Sequence, residues 1–98
     1  MTQPHDRMPT ILISYDVHSP NSPAYHELVN AIQSLGGWWH HLETTWIVKC
    51  DRTLVAIRDQ LKSHIAYDDQ LLVIDISGDT AEWFGVNEAG STWLKSNI

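Results

Sequence analysis

Hydrophobic and polar positions first alternate over residues 10–17. There Ile11, Ile13 and Tyr15 fall on one side of an extended chain, and Leu12, Ser14 and Asp16 on the other. One β-branched, apolar face predicts a strand in the middle of a sheet that helices cover on one side. After the turn-rich residues 18–23 the period becomes helical, with Tyr25, Leu28, Val29, Ile32 and Leu35 on one stripe. Ser22 and Pro23 supply an N-cap and a first helical residue, and Gly36 and Gly37 are expected to close the helix in the left-handed conformation. Residues 38–42 and 45–50 are rich in aromatic and β-branched side chains around Glu43 and Thr44, which predicts a hairpin. In its second arm Trp46, Val48 and Cys50 share one face, Ile47 and Lys49 the other. A second amphipathic helix carries Leu54, Ile57, Leu61 and Ile65, with Thr53 or Asp51 as its cap. Residues 70–77 form a near-continuous apolar run, read as a buried strand that Gly78 and Asp79 break. Asn87 then caps a terminal helix with Ala89, Trp93 and Leu94 as its apolar contacts, although Gly90 inside it costs about 1 kcal/mol relative to Ala.

The order strand, helix, strand, strand, helix, strand is the βαββαβ arrangement of an α+β, ferredoxin-like fold with a short C-terminal extension. Residues 1–9 read as a flexible polar tail and 10–77 as the domain. Residues 78–98 read as an extension packing on the domain or on a dimer partner. Right-handed crossovers place both helices on one face, so the other face is expected to be uncovered. Fewer than four strands, or helices on both faces, would not fit this arrangement.

Ninety-eight residues suffice for one modest core, and a domain this small often gains stability by self-association. No apolar run approaches the roughly 20 residues of a membrane span, and no secretory leader is visible. A single cysteine, Cys50, excludes an internal disulfide framework and suits a cytoplasmic location. The net charge of −6, with six Lys and Arg in all, argues against tight non-specific nucleic-acid binding. Five tryptophans need burial, and Trp83, Phe84 and Trp93 are candidates for a homodimer interface or for a clamp over the open sheet face.

Several familiar sites are missing. There is no phosphate loop, one cysteine cannot make a Cys-pair metal centre, and no serine stands in a nucleophile elbow. His40 and His41 are neighbours in a predicted strand, point to opposite faces, and cannot easily share one metal. Asp16 remains, because Asp is a poor strand former. Either it caps the following turn or it binds a metal or a partner, with Ser14, His18 and Ser19 nearby. One carboxylate per chain is too little for two-metal chemistry, but a two-fold dimer could bring two together around a hard cation.

The strand end Tyr15-Asp16-Val17, the helix before Gly36 and Gly37, residues 44–48 and the strand from Asp69 to Val73 resemble one family. It is the group of the dimeric CRISPR-associated nuclease that partners the spacer integrase, together with virulence-associated protein D. The similarity runs over about residues 10–77, and the tail with Trp83, Phe84 and Trp93 looks nearer to stand-alone relatives. The resemblance implies a ferredoxin-fold homodimer that hydrolyses RNA or DNA in a phage-defence or toxin-like setting, alone or with another defence-system protein. It implies that Asp16 is the catalytic metal ligand, for Mg²⁺ or Mn²⁺. Beside it His18 and Ser19 are expected to orient water or touch phosphate, and Lys49 and Arg52 to steady the nucleic-acid backbone. The alternative is a non-catalytic dimeric interaction module that keeps the fold. The basic residues that follow the aspartate in many of those nucleases are replaced here by His18, Ser19, Pro20, Asn21, Ser22 and Pro23.

Overall fold

The computed structural model describes residues 8–98, and residues 1–7 of the expected tail lie outside them. Its elements are β1 (Thr10–Asp16), α1 (Pro23–Gln33), β2 (Trp38–Leu42), β3 (Thr45–Lys49), α2 (Leu54–Lys62), β4 (Gln70–Asp75) and α3 (Glu88–Asn97). The strands form one antiparallel sheet in the order β2-β3-β1-β4, giving an α+β architecture with three helices. Among the described residues no helix is long and apolar enough to cross a membrane.

The alternation in β1 divides the molecule into two layers. Ile11, Ile13 and Tyr15 pack with Trp46 and Val48 of β3 against Leu28 and Ile32 of α1 and Ile57 and Leu61 of α2. Complete burial of such side chains is worth about 1.5–3 kcal/mol each, so this layer dominates the stability. Cys50 is buried in it, and burial raises its thiol pKa. Tyr15 keeps its hydroxyl satisfied there, paired with the Tyr25 hydroxyl at 2.8 Å and accepting the Trp46 indole N–H at 3.1 Å.

α1 begins as its sequence requires: the Ser22 side chain accepts the Tyr25 N–H at 3.1 Å and Pro23 occupies the first turn. Its end differs from the expectation. The helix stops at Gln33 with Ser34 as C-cap, and Gly36 is extended rather than left-handed. Glycine is needed there for a close approach, because a Cβ on Gly36 would run into the Lys49 carbonyl. Thr53, rather than Asp51, caps α2 by accepting the Ala56 N–H.

The second sheet face is not left bare, contrary to the sequence expectation. Trp39 of β2, Ile47 of β3 and Leu94 of α3 are buried together, with Ile76, Trp83, Val86 and Trp93 packed around them. The sheet therefore carries helices on both faces, which does not fit the arrangement expected from the sequence, although the βαββαβ order of the first six elements does. The two crossover helices share one face, and α3 of the extension lies on the other. The Trp39 indole N–H donates to the Gly90 carbonyl at 3.1 Å, and the Trp83 indole N–H to the Ser91 hydroxyl at 3.0 Å. Trp83 and Trp93 thus clamp the sheet within the chain, whereas Phe84 is fully exposed.

Candidate functional site

β1 delivers Asp16 to the end of a central strand, opposite Gln70 of β4 and on the face away from α1 and α2. Its side chain is exposed, and among the described residues it makes no hydrogen bond or ion pair. Just beyond, the connection from β1 to α1 meets the connection from α2 to β4. Asp69 ties the two together. Its Oδ1 accepts the His18 backbone N–H at 3.0 Å and lies 2.8 Å from His18 Nδ1, while its Oδ2 accepts the Ala66 N–H at 2.9 Å.

The charges follow from that geometry. The bond to Asp69 raises the His18 pKa above the ordinary 6.5, helped by the negative charges of Asp68 and, more weakly, Asp16. The Ala66 N–H and then the His18 ring hold the Asp69 carboxyl below its ordinary 3.8. Asp68 Oδ2 sits 3.7 Å from His18 Nδ1. One possible ligand atom from each of His18, Asp68 and Asp69 lies within 4.8 Å of the others. Asp69 already accepts three hydrogen bonds, so its first role is to fasten the two loops.

Between these loops opens a pocket of about 340 Å³, with Val17, Leu28 and Ile65 among its walls and Ser19, His64 and Asp68 among its polar groups. His64 Nδ1 faces the Glu27 carboxylate at 3.5 Å. Carboxylates dominate this corner of the molecule, which favours cations over bare anions.

Asp16, His18 and Ser19 are close along the chain, but Asp16 lines a separate shallow depression with Gln70 and Leu72 while His18 and Ser19 line the pocket, and Lys49 and Arg52 are elsewhere. Lys49 pairs with Thr10 at the opposite end of β1, about 20 Å from Asp16 at strand spacing. Its ammonium donates to Thr10 Oγ1 at 2.9 Å and to the Asn97 carbonyl at 3.4 Å, so it holds the end of α3. Arg52 bonds the Gln60 side chain. The adjacent histidines do diverge: His40 stacks on Trp46 with ring centroids 3.7 Å apart, while His41 lies 5.1 Å from the Trp39 ring. Little in the sequence sets Asp68 and Asp69 apart from ordinary residues of a connection. The signal in the chain is slight, two consecutive aspartates before a strand, and only the fold brings them to His18.

No protein-family model matches the chain, and no curated protein does. Among solved structures it is similar to the hypothetical protein TT1823 from Thermus thermophilus, with a TM-score of 0.62 and 20% sequence identity. The match covers 80% of this chain and 92% of that one. At that identity the likeness is one of fold.

Proposed function

We propose that the chain is a ferredoxin-like homodimer that acts in the cytoplasm as a divalent-metal-dependent nuclease of RNA or DNA, in a defence or toxin-like system. The reading rests on Asp16, an exposed carboxylate at the end of the central strand that has no partner among the described residues. A strand end is a rigid support, and an unengaged carboxylate fits a hard cation that keeps most of its waters. Asp16 would hold Mg²⁺ or Mn²⁺. Such an ion, when bound, supplies positive charge to a phosphodiester and lowers the pKa of a bound water.

The remaining roles belong to the chain. His18 is fastened through Nδ1 to Asp69, which leaves Nε2 to meet a phosphate oxygen or carry a proton. Ser19, on the same loop, offers a hydroxyl to the substrate. Lys49 and Arg52 could contact only a nucleic acid that runs the roughly 20 Å length of β1. The homodimer reading draws support from Leu42, Leu72 and Ile74, which stay exposed on the sheet.

A second reading, the non-catalytic dimeric interaction module, is favoured by one observation: no Lys or Arg lines the pocket at His18 and Ser19 or the shallow depression at Asp16. One experiment separates them. Purified protein is incubated with labelled single-stranded RNA and double-stranded DNA, with Mg²⁺ or Mn²⁺ and with EDTA. The nuclease reading expects cleavage that EDTA stops and Asp16→Ala abolishes while circular dichroism and molecular mass stay unchanged. No cleavage with either metal, or full activity in Asp16→Ala, defeats it and leaves the interaction module.

A further inference from the structure

β4 is an edge strand: one side pairs with β1, and among the described residues no strand lies along the other. An open edge presents unpaired N–H and C=O groups, and folded chains usually blunt it with lysine, proline or a bulge. β4, with the sequence QLLVID, has no lysine or proline, and its register with β1 runs unbroken. Leu72 and Ile74 are 53% and 40% exposed on the face away from α1 and α2. On the helix side, Leu71 and Val73 line an open groove of about 190 Å³ with Leu54, Val55 and Arg58 of α2.

We propose that this edge joins two copies of the chain, β4 pairing antiparallel with β4 of the partner about a two-fold axis at Val73. The two four-stranded sheets then become one. The inference rests on the homodimer half of the function proposed above and not on its catalytic half. A two-fold axis through an antiparallel pair keeps every side chain on its own face, so only positions of the same parity can oppose one another. With Leu72 on the axis, Asp75 would stand opposite the partner's Asp69, setting like charges against each other. With Val73 on the axis, Leu72 stands opposite the partner's Ile74 and the two exposed apolar side chains cover one another. The partner's Asp75, on the helix side by its pairing with Ile11, then falls opposite Leu71 beside Arg58. That register covers apolar surface with apolar surface and brings Asp75 toward Arg58, which also pairs with Asp59 of its own helix, and this self-complementarity favours a second copy over an unrelated strand.

The arrangement bears on the metal. Three inter-strand steps and six residues of offset separate the two Asp16 positions by about 25 Å. Any ion at Asp16 would then belong to one protomer, because the two carboxylates stand too far apart to share one.

The test is a cysteine placed on the axis. Cys50 is buried, so Val73→Cys adds the only accessible thiol among the described residues. Opposed Cβ atoms in such a pair lie about 4.5–5.5 Å apart, close enough for a disulfide after a small shift. The full chain carrying Val73→Cys should oxidise to a covalent dimer, and Leu42→Cys, 54% exposed on β2 at the far edge, should not. Leu72→Lys, a surface change, should weaken association about tenfold or more by sedimentation while circular dichroism stays native. A dimer that cross-links through Leu42→Cys and ignores Leu72→Lys overturns the edge contact and leaves the homodimer standing. A monomer mass by light scattering at every concentration overturns both and leaves the edge for a strand of another protein. Neither result touches the cleavage assay.

Discussion

Replacing Gly90 with alanine sets two effects of known size against each other. In a helix interior, alanine is favoured over glycine by about 1 kcal/mol. At this position, however, a Cβ would lie 2.7 Å from Val86 Cγ1 and 2.8 and 2.9 Å from His41 Nε2 and Cδ2. Overpacking of that kind costs about 1–3 kcal/mol. The exposed His41 ring can swing toward solvent, but Val86 is held in the second layer, so part of the clash remains. Gly90→Ala should therefore lower stability by about 1 kcal/mol net, a drop of roughly 4–8 °C in Tm for a domain of this size. Thermal and urea unfolding measure it. Adding Val86→Ala should recover most of the loss, because the two changes share one contact. A Gly90→Ala protein more stable than the parent by the full helix propensity would refute the close packing of α3 on β2.

The pH response of the His18–Asp69 pair has a definite sign. His18, with its folded pKa raised, contributes fully below the ordinary 6.5 and loses its contribution as pH rises through the raised value. Asp69, with its folded pKa lowered, contributes above the ordinary 3.8 and loses its contribution as pH falls through the lowered value. NMR titration should find His18 above 6.5, and Asp69→Asn should return it toward 6.5; an unchanged value would sever the link. Lys49→Met should loosen α3, since charged hydrogen bonds of this kind contribute about 1.5–3 kcal/mol when undisturbed. Hydrogen exchange should speed up in α3 and not in α1, and uniform protection across both would count against that role.

The elements were legible where one local rule governed them. The two-residue period of β1, the Ser22–Pro23 start of α1 and the Thr53 cap of α2 are each decided by neighbours in sequence. Positions decided by distant backbone were not legible. Gly36 resembles a helix stop, but its role is set by the Lys49 carbonyl across the chain. Gly90 reads as a flaw in a helix, yet its missing side chain is what admits His41 and Val86. In the site, Asp16 could be found because a carboxylate disturbs a strand pattern. Asp69 could not, since an aspartate in a turn breaks no rule until His18 arrives from 51 positions away. Lys49 was misplaced for a related reason: charge alone does not reveal that α3 returns to meet it.

β1, a central strand, precedes the other described strands in the chain. β1 meets β3 through pairs such as Thr10 with Lys49, and β4 through pairs such as Ile11 with Asp75, so neither neighbour is close in sequence. A chain grown only through α2 has a three-stranded sheet with β1 at a bare margin. Closing that margin requires long loops to form before they are rewarded, which slows folding and lengthens the life of sticky intermediates. The order of synthesis thus makes the arrival of β4 the event that seals the nascent domain.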